Sequence, residues 1–176
     1  MTENEAPIQQ TTTGANLAFH WSYIILPLVV LILAVILTAC FYSRLPAELA
    51  YHFQSDGLPD RVAGRGVVIL WTLLPQFLLT LLAGGTTWGI ARLTARYIES
   101  EGSYIRPENI LRIIGNVIAL PQIILGFAML DIFLYNSYQI KMLPLWVFAL
   151  IILVLGGIVL SVFFIRAMIQ AWRASR

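Results

Sequence analysis

Charged residues are scarce in this sequence, at 11% of its 176 residues, whereas hydrophobic residues make up 59%. Soluble domains contain about 25% charged and about 45–50% apolar residues. So little polar material cannot cover the surface of a water-soluble fold of this size. A lipid bilayer removes that requirement, because its hydrocarbon tails surround the apolar faces. The composition therefore predicts an integral membrane protein whose first partner is the lipid bilayer.

Other absences exclude further classes of protein. The single cysteine, Cys40, excludes an intrachain disulfide and a cysteine metal site, and a net charge of +2 gives no basis for nucleic-acid binding. Residues 1–20 contain no Lys or Arg, so they predict a disordered cytoplasmic tail and not a secretory signal. No HExxH, CxxC or glycine-rich phosphate loop is present. The sequence thus predicts a protein that is not an enzyme and that needs no metal or cofactor.

Four long apolar runs account for most of the chain, at residues 23–42, 67–91, 113–134 and 143–165. A helix of about 20 residues is about 30 Å long, which is the thickness of a hydrocarbon core. None of the runs alternates as a barrel strand does. The sequence therefore predicts an all-α fold, a membrane four-helix bundle formed as one domain by residues 21–176. The short connection between the last two runs predicts that they are antiparallel neighbours.

The Lys and Arg residues in the flanks of the runs predict the orientation. Cytoplasmic flanks carry the excess of positive charge. Seven cations share a side with both termini, and four lie on the other side. Both termini are therefore expected in the cytoplasm of a plasma membrane protein, with the loop of residues 43–66 outside. The two sets are Arg92, Arg96, Arg106, Arg112, Arg166, Arg173 and Arg176, and Arg44, Arg61, Arg65 and Lys141.

This outer loop, residues 43–66, contains two dipeptides that favour turns. They are Asp56-Gly57 and Pro59-Asp60, in which Gly accepts a positive φ and Pro fixes its own φ. The loop is therefore expected to be folded.

The apolar residues of the outer loop have a helical spacing. Leu45, Leu49 and Phe53 recur every four residues, which predicts a stripe lying on the membrane surface.

The outer loop also holds side chains of the metal-ligating type. His52, Asp56 and Asp60 could supply three ligands, but Gly57 and Pro59 interrupt any helix that would align them. A cluster that stabilises the turn is favoured over a metal site. A His–Asp pair that responds to pH is a further alternative.

Polar residues inside the predicted spans are few. Gln76 and Gln122 each follow a proline, which leaves a carbonyl one turn earlier without its helical donor. The two amides predict a contact between kinked helices, with a polar step in a transport path as the alternative. Asp131, near the outer end of the third span, is expected to pair with a cation, either Arg44, Arg61 or Lys141.

Gly85 and Gly89 form a GxxxG pattern in the second span. Small residues at this spacing allow two helices to approach closely. Packing within one chain is the default interpretation, and formation of a homodimer is the alternative.

The order of residues in the outer loop resembles a bacterial domain-of-unknown-function family, number 1648, over roughly residues 23–91. This domain also forms the N-terminal part of SdpI-type immunity proteins, which protect a cell from a secreted toxic peptide and can signal to a repressor. The family usually has Lys where Arg65 stands. The resemblance implies a folded outer loop that could meet a ligand. It is carried by Leu45, Pro46, His52, Phe53, Gly57, Pro59, Asp60, Arg61 and Arg65.

Three functions follow as hypotheses. The first is a non-enzymatic receptor or immunity-like protein whose outer loop meets an external ligand such as a peptide. The second is an accessory subunit that binds other membrane proteins. The third is a small transporter, which requires a continuous polar path through Gln76, Gln122 and Asp131.

Overall fold

The computed structural model describes residues 20–54, 58–97 and 107–174. Several features named above lie outside the described residues: the predicted tail up to residue 19, Asp56, Gly57, Arg106 and Arg176.

Five helices and two strands make up the described chain. After a short 3₁₀ turn at Trp21–Tyr23 come α1 (Ile25–Tyr42), β1 (Glu48–Phe53), β2 (Pro59–Gly64), α2 (Arg65–Tyr97), α3 (Pro107–Val117), α4 (Ala119–Tyr138) and α5 (Leu145–Ala174).

Four helical stretches within the described residues are long and apolar enough to cross a membrane. They are Ile25–Tyr42, Arg65–Leu93, Ile110–Tyr138 and Leu145–Arg166. Their ends differ from the predicted ends by at most four residues. The prediction of a membrane protein with four spanning helices is confirmed.

The third span is built from two helices, α3 and α4, which meet at Ile118. Pro121 has no N–H to donate to the carbonyl of Val117, four residues earlier, and α3 ends at Val117. Pro75 lies inside α2, which continues through it. The two prolines that were expected to kink their helices therefore act differently. The third span is divided into two helices near Pro121, whereas α2 continues without a break through Pro75.

The outer loop is folded, as a β-hairpin. Strands β1 and β2 pair antiparallel, with Glu48 opposite Gly64 and Phe53 opposite Pro59. The expected helical stripe is wrong, because Leu49 lies in a strand and not in a helix. The membrane region is all-α as predicted, and the hairpin adds a small two-stranded sheet to it.

The described residues form two apolar clusters in the interior, one toward each end of the bundle. We call the end that carries the hairpin the hairpin side. Its cluster consists of Ala34, Leu45, Leu49, Val68, Met129 and Phe133. The cluster of the opposite side consists of Tyr23, Ile24, Ala83, Ala91 and Leu111. On α2, the buried Gln76 lies between Val68, which belongs to the hairpin-side cluster, and Ala83, which belongs to the opposite cluster.

Helix α5 packs mainly against α4, which agrees with the expectation that the last two spans are neighbours. The rings of Phe127 and Phe148 stack with centroids 3.8 Å apart and planes 8° apart. Gly156 faces Leu120, so a Cβ at Gly156 would come within 2.7 Å of a Leu120 methyl carbon. Most of the large apolar side chains of α5 are exposed in the described chain. Its outward face is therefore left to lipid or to another protein.

Candidate functional site

The hairpin is attached to the bundle through its buried leucines. Leu49 is completely buried and Leu45 almost so. Both pack with Phe133 of α4 and Val68 of α2. Burial of a leucine side chain contributes about 1.5–3 kcal/mol. The hairpin therefore has a fixed position on the helices that flank it.

A polar contact adds to this attachment. The side-chain amide of Asn136 on α4 accepts a hydrogen bond from the Ala50 N–H at 2.8 Å and donates one to the Ala50 carbonyl at 2.9 Å. Ala50 lies on β1, so the amide occupies the backbone groups that a third strand would otherwise bind. The sequence analysis did not identify Asn136, because an asparagine near the end of a span can have many roles.

Arg65, the basic residue at the end of the loop motif, binds the end of α1. Its Nη1 donates to the carbonyls of Tyr42 and Leu45, each at 3.1 Å. Its guanidinium also lies 4.2 Å from the centre of the Tyr42 ring. A cation is favourable at a helix C-terminus, where carbonyls lack intrahelical donors. Arg65 thus links the first residue of α2 to the last residue of α1.

His52 and Asp60 face each other across the hairpin. The Nδ1 atom of His52 and the Oδ1 atom of Asp60 are 2.5 Å apart. The hydrogen bond from His52 lowers the pKa of Asp60 below its ordinary value of 3.8. The two side chains therefore form a pair across the hairpin, and a response of this pair to pH stays a prediction. In the described part of the chain, no three His, Cys, Asp or Glu side chains converge as metal ligands.

The remaining residues of the motif have different environments. Pro59 begins β2, and Arg61 lies opposite His52 in the strand register. Pro46 and Arg61 are exposed, whereas Leu45 is buried. The motif therefore combines residues that fold the hairpin with residues that lie on its surface.

A pocket of about 590 Å³ lies between β1 and the connection from α4 to α5. Its wall includes two aromatic rings, Phe53 and Tyr135, which meet edge to face with centroids 4.7 Å apart. The Lys141 ammonium lies 5.6 Å from the centre of the Tyr135 ring. Trp146, at the start of α5, also lines the pocket and is 71% exposed. The pocket thus presents aromatic surface together with charge.

Asp131 lies in the wall of this pocket. Its Oδ1 accepts a hydrogen bond from the backbone N–H of Met142 at 3.0 Å. This contact joins Asp131 to the backbone of the α4–α5 connection, and its pairing with Arg44, Arg61 or Lys141 stays a prediction. The contact fixes the connection between α4 and α5 against α4, which shapes one side of the pocket.

The two intramembrane glutamines lie together between α2 and α4. Gln122 Nε2 donates to the backbone carbonyl of Gln76 at 2.9 Å and to Thr80 Oγ1 at 2.8 Å. The Gln76 amide donates to the Thr72 carbonyl of its own helix at 3.4 Å. Both Oε1 atoms are buried without a hydrogen-bond partner in the described chain. The two glutamines are therefore neighbours as expected, but the bond between them runs from the Gln122 side chain to the Gln76 backbone and does not join the two side-chain amides.

The two glycines of the GxxxG pattern do not pack closely against other residues in the described chain. A Cβ added at Gly85 or Gly89 would meet no other atom within 4 Å, so neither forms the close contact expected within one described chain. Gly115 does form one, because a Cβ there would lie 2.6 Å from Thr87 Cγ2 and would overlap the Tyr23 carbonyl. Homodimer formation through Gly85 and Gly89 stays a prediction.

Comparison with curated proteins found no match, and comparison with solved structures found none either. A family model does match, and the matched residues include the hairpin described above. It covers most of α1, all described residues of the hairpin and the first part of α2. Residues 29–74 of this chain match the domain of unknown function DUF1648, the family that the outer-loop residues resemble.

Proposed function

We propose that this chain is a non-enzymatic membrane receptor of the immunity-like type, whose hairpin and pocket bind an external peptide. The observation that carries this proposal is the pocket of about 590 Å³ beside β1. It places the motif residues His52 and Phe53 against aromatic and charged groups of α4 and of the connection to α5. A hairpin that served only to connect α1 to α2 would not require a pocket beside it.

The chemistry of the pocket favours a peptide as the ligand. The rings of Phe53, Tyr135 and Trp146 offer apolar area for a side chain. Asp131 and Lys141 supply both signs of charge within the same wall, which suits the mixed groups of a peptide backbone and its termini. The hairpin side faces outward in the orientation that the positive-inside rule favours, with both termini in the cytoplasm of a plasma membrane protein.

Site-specific photocrosslinking in native membranes tests this proposal. A photoreactive phenylalanine analogue replaces Trp146 in the pocket, and in a matched variant it replaces Val62, which is exposed on β2 and outside the pocket. The expected result is a peptide adduct at position 146 that is absent at position 62. If position 146 gives no adduct, or gives the same adducts as position 62, the proposal is wrong.

One observation favours the second candidate, an accessory subunit of a larger membrane complex. Helix α5 exposes Leu153, Val159 and Phe164, among other large apolar residues, and packs mainly against α4. Purification in mild detergent followed by the mass of the intact particle separates the candidates. Stoichiometric recovery of other membrane subunits would favour the subunit function, and a lone monomer or homodimer would favour the receptor.

The transporter hypothesis receives less support from the packing. Gln76 and Gln122 meet, but Asp131 lies nine residues beyond Gln122 on α4, which is about 13 Å along a helix. The buried Phe127 and Met129 occupy α4 between them. Apolar side chains therefore separate Asp131 from Gln122 along α4.

A further inference from the structure

A second concavity lies on the side of the bundle away from the hairpin. It is a groove of about 780 Å³ between the start of α1, the α3–α4 span and α5. Its floor and walls are apolar and include Leu26, Leu120 and Val159. Polar groups occur at one end of it, where Arg112 and Asn116 lie on α3. We call it the α5 groove.

The length of the α5 groove corresponds to one leaflet of a bilayer. Its lining runs from Arg112 to Ile123 on the third span and from Ile152 to Phe163 on α5. Eleven helical residues extend about 16 Å, and half of a hydrocarbon core is about 15 Å thick. The apolar part of the groove therefore reaches from the membrane interior to the headgroup region.

Charge is placed where a lipid headgroup would lie. Arg112 is exposed at the polar end of the groove, and its side chain forms no ion pair within the described part of the chain. Asn116, one turn later, is already occupied, because its amide binds the Leu26 N–H at 2.9 Å and the Ser22 carbonyl at 3.1 Å. The exposed Arg112 guanidinium presents its donors at this end of the groove, and guanidinium groups match phosphate oxygens well.

We propose that the α5 groove binds one membrane phospholipid, with an acyl chain along the groove and the phosphate at Arg112. The occupant comes from the leaflet opposite the hairpin. Basic pockets between membrane helices bind phospholipid headgroups by the same combination of charge and apolar contact. The site is separate from the hairpin pocket, and it would exist whichever molecule that pocket binds.

Native mass spectrometry of the full-length protein tests this proposal. The probe is dioleoyl phosphatidylglycerol, compared with dioleoylglycerol, which has the same chains but no phosphate. The wild-type protein is expected to retain one phospholipid, bound about tenfold more tightly than dioleoylglycerol. Arg112→Gln should remove this preference, and Arg92→Gln, an exposed arginine on α2 outside the groove, should leave it intact.

A second pair of variants tests the acyl-chain part of the groove. Val159→Trp fills the groove, whereas Val154→Trp adds the same bulk to an exposed position of α5 that does not line it. Only Val159→Trp should lose the retained phospholipid. Equal retention by both, or an unchanged phosphate preference in Arg112→Gln, would show unspecific surface lipid and overturn the proposal. Because Arg112 is exposed, that variant stays informative even if Val159→Trp does not fold.

Discussion

Asn136 of α4 pairs through its side-chain amide with both backbone polar groups of Ala50 on β1, at 2.8 and 2.9 Å. A two-stranded hairpin alone is marginally stable in water. Here Asn136 on α4 supplies the hydrogen-bond partner for the backbone edge of β1 that does not pair with β2. Asn116 acts similarly at the other end of the third span, where its amide binds the Leu26 N–H and the Ser22 carbonyl. Two asparagines of the third span therefore bind backbone groups of other segments, β1 in one case and the start of α1 in the other.

The first prediction concerns this contact. Asn136→Ala leaves the buried N–H and carbonyl of Ala50 without a partner, at a cost of about 1–3 kcal/mol. Because about 1.4 kcal/mol is a factor of ten, amide hydrogen exchange in β1 should accelerate about tenfold or more. Exchange measured by mass spectrometry on nanodisc-embedded protein checks this.

A matched variant controls for general destabilisation. Asn116→Ala should accelerate exchange around Leu26 and leave β1 unchanged. If both variants accelerated exchange equally along the whole chain, the two contacts would not be local anchors.

The second prediction concerns pH. The hydrogen bond from His52 lowers the pKa of Asp60, so Asp60 should titrate below 3.8. A depressed pKa in the folded state stabilises the hairpin above the unfolded value, and this stabilisation is lost as the pH falls through the folded value. His52→Ala should return the midpoint toward 3.8. The carboxyl carbon shift in NMR reports the midpoint directly.

Asp131→Asn is the control for this titration, because Asp131 binds Met142 and not the hairpin pair. It should leave the Asp60 midpoint in place. A midpoint that stayed unchanged in His52→Ala would show that His52 does not determine the titration of Asp60.

The four spans were predictable because apolar length alone decides whether a helix crosses a bilayer. The hairpin was not predictable in the same way. Leu45 and Leu49 are four residues apart, which matches a helical period by coincidence, and the register shifts on both sides of His52 interrupt the two-residue alternation of a strand. The turn-forming Pro59 and Asp60 indicated only that the loop was folded.

The site itself depends on contacts between distant parts of the chain. Ala50 and Asn136 are 86 residues apart, and no local pattern of one sequence shows that they meet. The pocket is similar, since β1 contributes Phe53 and the connection to α5 contributes Lys141. Sequence reasoning found the residues of the motif and Asp131, but not that they line one pocket.

The third prediction separates the two buried glutamines. Gln122→Leu removes two donated bonds to α2, and interhelical hydrogen bonds in membranes contribute about 0.6 kcal/mol on average, with a maximum of about 1.7. Gln76→Leu removes one long bond within its own helix and a buried oxygen without a partner. It should be neutral or stabilising. Reversible unfolding in detergent measures both; a greater loss for Gln76→Leu would contradict the assigned contacts.

The fourth prediction compares glycines with opposite surroundings. Gly115→Ala should destabilise the monomer by about 1–3 kcal/mol, since the new methyl group would overlap the Tyr23 carbonyl and Thr87. Gly85→Ala meets no atom within 4 Å, and it should stabilise α2 by about 0.5–1 kcal/mol through the better helix propensity of alanine. Unfolding in detergent at low protein concentration measures both signs.

A larger substitution at the same glycine tests the homodimer. Gly85→Leu places a bulky side chain on a face that is open in the described chain, so the monomer should tolerate it. If two copies pack through Gly85 and Gly89, this variant should weaken their association, because GxxxG contacts require close approach of the backbones. Energy transfer between labelled chains in nanodiscs measures association. Loss of transfer with an intact monomer would support the dimer, and transfer equal to that of the wild type would place Gly85 outside any contact between copies.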